Sequence, residues 1–233
     1  MSSLNLSGSA EIHPGHLEVV FGPMYSGKSS YLRDTLGRLA DTGWKCLYIN
    51  HSSDSSRETA GGDDECKTHN SQAKALSDKI EIKLVKNLSD LDFKYLNKFD
   101  KIGIDEGQFF EDLNMVKKWV GDYGLDVLVA SLNGDSDMNP FGKVHELICC
   151  ANTTKHCVAT CMHCGLYRDH GRPVRRKAPF TFCFAKKEGQ TLVGGSESYI
   201  AVCLKCHKSL NFWKETNMAR LEVIEEQIRE NFK

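Results

Sequence analysis

Short apolar runs alternate with amphipathic stretches through the first two thirds of the chain. Residues 17–22 (Leu-Glu-Val-Val-Phe-Gly) have the length and β-branched content of a buried strand. A glycine-bearing loop follows, and residues 28–40 carry a helical pattern that Gly43 punctuates. Further strands are predicted at 45–49, 80–85, 101–105 and 125–131, with helices at 89–98 and 113–123. The polar stretch 50–70, rich in Ser, Gly and Asp, reads as a long loop, and such loops in compact domains are often functional. Strands alternating with helices predict an α/β fold: a parallel sheet covered by helices on both faces.

Near residue 155 this rhythm stops. Paired cysteines, a Gly-Gly step and short β-like runs replace it, so a small metal-organised module is expected at 156–212. The expected organisation is a loose polar tail at 1–15, a nucleotide-binding domain at 16–155, the cysteine module, and an amphipathic helical tail at 213–233. The first residues have neither a basic nor an apolar leader segment, and no run is apolar for long enough to cross a bilayer. The expected location is therefore the cytosol, with no membrane partner. The ten cysteines are then reduced, which favours metal ligation over a disulfide framework. Across 233 residues, 30 basic and 31 acidic side chains leave a net charge of −1, unlike the strongly basic balance of a non-specific nucleic-acid binder.

Three motifs carry chemistry. Gly22-Pro23-Met24-Tyr25-Ser26-Gly27-Lys28-Ser29 matches G-x-x-x-x-G-K-[ST] between an apolar strand and a helix. Such a loop turns its backbone N–H groups towards the phosphates of ATP, and the helix behind it presents its positive end. Lys28 is expected on the β- and γ-phosphates and Ser29 on Mg²⁺. Second, Ile102 and Ile104 alternate into Asp105-Glu106 at a strand's C-terminal end, where α/β proteins place ligands. Asp105 suits the second Mg²⁺ contact, and Glu106 beside it is the natural general base for an attacking hydroxyl; Gly107 and Gln108 continue the same nucleotide-binding turn. Third, Cys161-x-x-Cys164 and Cys203-x-x-Cys206 supply four thiolates, enough to close a structural Zn²⁺ site, with His163 and His207 near enough in sequence to compete.

Taken in order, GPMYSGKS, IDEGQFF (104–110), Pro140-Phe141-Gly142, the two knuckles and Gly194-Gly195-x-x-x-Tyr199 resemble the zinc-containing thymidine kinases over residues 16–210. The resemblance implies a RecA-like P-loop domain and a small C-terminal zinc domain whose lasso loop closes over the nucleoside. It implies a homotetramer that transfers the γ-phosphate of ATP to the 5′-hydroxyl of thymidine, and also of deoxyuridine. The implied substrate contacts are Met24, Phe109, Phe141, Thr181 and Tyr199, with the lasso residues Gln190, Thr191, Leu192, Val193 and Gly194. Asp54 and Arg57 match the sugar- and phosphate-contacting loop. Ser136 stands where the family carries an aromatic residue against the base, which predicts weakened thymidine binding. The competing reading is a P-loop ATPase whose zinc ribbon binds nucleic acid, supported by the basic run at 170–177.

Overall fold

The computed structural model describes residues 15–52, 79–185 and 198–232. Strand β1 (His16–Gly22) leads through the phosphate-type loop into helix α1 (Lys28–Asp41), followed by β2 (Cys46–His51), β3 (Ile80–Val85), α2 (Phe93–Leu96), β4 (Lys101–Ile104), α3 (Met115–Gly121), β5 (Asp126–Leu132), α4 (Val144–Ile148) and β6 (Thr153–His156). The six strands form one parallel sheet in the order β3-β2-β4-β5-β1-β6. β5 lies between β1 and β4, so the loops leaving all three strands open at the same end of the sheet.

Period-2 side-chain alternation builds a core on each face. Leu17, Val19, Leu47, Ile49, Ile102, Ile104, Val127 and Val129 point to one side, where Val116, Trp119, Val144 and Leu147 of α3 and α4 cover them. Val20, Cys46, Tyr48, Leu128 and Ala130 point to the other, where α1 lays down Leu32, Leu36 and Ala40, spaced one helical turn apart.

The remaining elements form the cysteine module: β7 (Ala159–Thr160), α5 (Met162–Gly165), β8 (Arg168–Asp169), β9 (Arg172–Pro173), β10 (Lys177–Ala178), β11 (Phe180–Cys183), β12 (Tyr199–Val202), α6 (Leu204–Thr216) and α7 (Met218–Asn231). Antiparallel pairs β7–β10 and β11–β12 pack with the helices around Phe182, Ile200, Val202 and Leu210.

Four expectations shift. β2 continues through Asn50 and His51, and the loop after it falls outside the described residues from 53 to 78. The helix expected at 89–98 is a 3-10 turn at Leu88–Asp90 followed by the short α2, because local carboxylates compete for the backbone. Asp92 accepts the Tyr95 N–H at 2.8 Å, while Asp112 accepts those of Leu88 and Ser89 at 3.1 and 2.8 Å. β6 is an additional strand whose polar, exposed Thr-Thr-Lys-His gives no apolar alternation to read. The C-terminal tail is two helices: α6 starts directly after Cys203, Asn217 breaks it and caps α7, and α7 buries Leu221, Ile224 and Ile228 in the cysteine module.

Candidate active site and metal centre

The loop after β1 is shaped by close approach at one end and by a left-handed turn at the other. A Cβ on Gly22 would lie 2.1 Å from the Cys157 carbonyl oxygen, so only glycine lets the loop pass the end of β6. Gly27, at φ 82, is the N-cap of α1, whose first turn carries no acidic side chain. Its N–H groups and dipole are thus disposed towards an anion. Ser26 Oγ and Lys28 Nζ both donate to the Pro23 carbonyl, at 2.8 and 2.7 Å. Burial pushes the Lys28 ammonium pKa down, against the opposing charges of Glu106 and Asp105.

β4 delivers Asp105 to this loop. Ser29 Oγ donates to Asp105 Oδ1 at 2.9 Å, as does the Glu106 N–H. A hydroxyl and a carboxylate oxygen side by side, close to a lysine, are the hard donors a divalent cation such as Mg²⁺ takes. Tyr48 OH donates to Asp105 Oδ2 at 2.7 Å, and Arg33 Nη2 donates to Tyr48 OH at 3.3 Å. Sequence reading missed this pair. Tyr48 reads as an ordinary strand former, and Arg33 reads as surface, although it shares the buried stripe of α1. Glu106 occupies the left-handed region, at φ 52, and Gln108 Nε2 donates to its carboxylate. Gln108 is buried and turned inwards, with Oε1 accepting the Leu132 N–H at 2.9 Å and the Ser131 hydroxyl at 3.2 Å.

Beside the loop lies a cavity of about 220 Å³, lined among others by Pro23, Asn133, Asp135, Met138, Phe180 and Thr181. Thr181 Oγ1 accepts the Met24 N–H at 3.0 Å, which ties the cysteine module to the phosphate-type loop, and Tyr25 packs against that module. Phe109 meets Phe141 edge to face with ring centroids 6.0 Å apart. Tyr199 is buried at the start of β12, opposite Cys183. Ser136 departs from its expected position: it is 5% exposed and absent from the cavity lining, and among the described residues its hydroxyl has no partner. Its carbonyl accepts from His207 Nε2 at 2.8 Å, which turns this residue towards α6, while the 45%-exposed Met138 faces the cavity instead. Asp54, Arg57, Gln190, Thr191, Leu192, Val193 and Gly194 lie outside the described residues.

The sulfurs of Cys161, Cys164, Cys203 and Cys206 all lie within 4.8 Å of one another, and none is in a disulfide. Cys164 Sγ is 3.8 Å from Cys203 Sγ and 3.4 Å from Cys206 Sγ. A tetrahedral Zn²⁺ with sulfurs at about 2.3 Å has S–S edges of about 3.8 Å, so the four thiols fit that ion. The N–H groups of Cys164 and Cys203 donate to Cys161 Sγ at 3.5 and 3.2 Å. Hydrogen bonding from Cys206 leads the causes that hold the Cys161 thiol down at about 5. Neither histidine joins the cluster. His207 Nε2 must carry its proton to donate to the Ser136 carbonyl, and Nδ1 then accepts from Asn211 Nδ2 at 3.1 Å. His163 is buried between the edges of Tyr167 and Trp213, and burial pushes its pKa down.

The family profile described as thymidine kinase matches residues 15–207, most of the chain and both halves of this site. The chain belongs to the thymidine kinase family. It is 34% identical to the thymidine kinase of fowlpox virus over 193 residues, covering 82% of this chain and 96% of the viral one. It is 32% identical to thymidine kinase 1 of Dictyostelium discoideum over 196 residues (84% and 78% of the two chains). With the cytosolic thymidine kinase of Homo sapiens the identity is 30% over 211 residues, 89% of this chain and 81% of the human one. Membership in the thymidine kinase family makes the chain a kinase that takes a nucleotide phosphate donor, and it favours that reading over the nucleic-acid ATPase. Among the described residues no helix is long and apolar enough to cross a membrane.

Proposed function

We propose that this protein transfers the γ-phosphoryl group of ATP to the 5′-hydroxyl of thymidine, and of deoxyuridine, yielding the nucleoside monophosphate and ADP. The observation that carries the reading is the Ser29–Asp105–Glu106 cluster: the phosphate-type loop, a hard-oxygen metal pair and a second carboxylate, held by Gln108, meet at one end of the sheet. Backbone N–H groups of 25–29 and Lys28 hold the phosphates of ATP, with Gly22, Pro23 and Met24 completing the loop around them. Ser29 and Asp105 would hold Mg²⁺, which supplies charge neutralisation at the phosphates when bound. Glu106 accepts the 5′-hydroxyl proton as the new O–P bond forms and the bond to the ADP oxygen breaks. The proton ends on the Glu106 carboxylate and the negative charge on ADP.

Met24, Phe109, Phe141, Thr181 and Tyr199 are proposed to hold the nucleoside, with Met138 in the place expected of Ser136. The lasso residues 190–194 are proposed to close over it and exclude water, which would otherwise take the phosphoryl group. Residues 16–155 are then the ATP-binding domain and 156–212 the zinc and lasso domain. A homotetramer in the cytoplasm is part of the same proposal. ATP consumption should rise on adding thymidine and not on adding single-stranded DNA; stimulation by DNA alone would overturn the reading.

A further inference from the structure

A general base works only if its carboxylate oxygen is aimed, and Glu106 starts at a disadvantage. It sits in the left-handed region at φ 52, on a turn between β4 and a 3-10 helix at Gly107–Phe109. Gln108, two residues on, is 4% exposed and makes three side-chain hydrogen bonds. Its orientation is determined by its partners. The Leu132 N–H can only donate, so the amide atom 2.9 Å from it must be the oxygen; the Ser131 hydroxyl, 3.2 Å from the same oxygen, shares its one proton between it and the Leu132 carbonyl at 3.0 Å. The amide nitrogen is thereby forced to the other side, and there it donates to Glu106 Oε2.

The anchor of this clamp is rigid. Ser131 and Leu132 end the central strand β5 in register with Phe21 and Gly22 of β1, just beyond Val129, where the pairing with β4 stops. From behind, Gly142 presses on the Gln108 backbone: at φ 63, a Cβ there would lie 2.5 Å from the Gln108 carbonyl oxygen. The loop at 133–142 that shapes the cavity therefore abuts the residue that holds the carboxylate.

We propose that Gln108 is a positioning residue for phosphoryl transfer, carrying the rigidity of β5 to the Glu106 carboxylate so that it meets the nucleoside hydroxyl in a productive orientation. This rests on Glu106 acting as the base. The bland alternative is a cross-link between the ends of β4 and β5 that serves folding alone.

Two substitutions separate these. Gln108→Glu keeps an acceptor for Leu132 and Ser131 but has no amide to donate to Glu106; Gln108→Met removes both. Misdirecting a catalytic group costs up to about 10²-fold, so both variants should lose about 10- to 100-fold in kcat, with KM for thymidine and ATP within about twofold. Residues acting as one unit do not add, so Gln108→Glu placed on Glu106→Gln should cost less than about twofold more. The proposal is overturned if Gln108→Glu keeps kcat within about twofold of wild type, if its effect falls on KM, or if the two losses multiply. Should Gln108→Met fail to fold, Gln108→Glu alone decides. A fully active Glu106→Gln would instead overturn the base assignment beneath the proposal, a result distinguishable from failure of the clamp alone.

Discussion

At the residue scale, Ser136 shows what a one-dimensional match leaves out. Matched to the family, it replaces an aromatic contact to the base. In the fold, His207 of α6 donates to its backbone carbonyl, the residue is buried, and Met138 lines the cavity at φ 64. Ser136→Phe should therefore add a ring to a packed site instead of restoring a base contact. Overpacking costs about 1–3 kcal/mol, and a lower melting temperature with no improvement in thymidine KM is expected. An unchanged melting temperature with a severalfold lower KM would show that residue 136 faces the base after all. That Lys28, Asp105 and Glu106 come together at one end of the sheet was legible because each lies in a local motif. Tyr48, Arg33 and Ser131 were not, because each reaches the site across strands or helices and reads in sequence as packing or surface.

At the element scale, carboxylates decide where the helices between β3 and β5 begin and end. Burial alone would push the Asp112 carboxyl up, but the N–H groups of Ser89 and Leu88 outweigh it and hold it below the usual carboxylate range. A carboxyl lowered on folding stabilises above its unfolded pKa, and that contribution is lost as pH falls through the folded one. Asp112→Ala should cost about 1 kcal/mol at pH 7, a charge-assisted bond discounted for its partial exposure. The difference from wild type should shrink as pH drops below about 4. Melting curves across pH test this, and a difference that persists undiminished at pH 2.5 would contradict it. The predicted strands held because alternation on a two-sided sheet leaves a strong signal. The predicted 89–98 helix failed because Asp92 and Asp112 offer backbone N–H groups a better local partner, and β6 was invisible because an exposed edge strand needs no apolar residues.

At the scale of the whole molecule, two structural units meet at the phosphate-type loop. Met24 reaches Thr181, Tyr25 packs into the cysteine module, and His207 joins α6 to the 133–142 loop. The four cysteines come together from segments some forty residues apart, and the paired spacing made them legible while the histidines beside them were not decidable from sequence. Because zinc binding is coupled to folding, purified protein should hold about one Zn²⁺ per chain. Cys203→Ser should lower both zinc content and melting temperature, and acidification should release the ion as thiolates take up protons. Chelator-free active protein with no zinc by metal analysis would contradict the assignment. Loss of the module should also reduce activity, since Thr181 lines the cavity and holds the Met24 N–H of the loop.

The most direct measurement is product analysis after incubation with thymidine, ATP and Mg²⁺, run in parallel on wild type and Glu106→Gln. One thymidine monophosphate should form for each ADP, and Glu106→Gln should lower kcat by about 10²–10⁴-fold while ATP binding is retained. ADP appearing without the nucleoside monophosphate, or a Glu106→Gln variant turning over at the wild-type rate, would contradict the account.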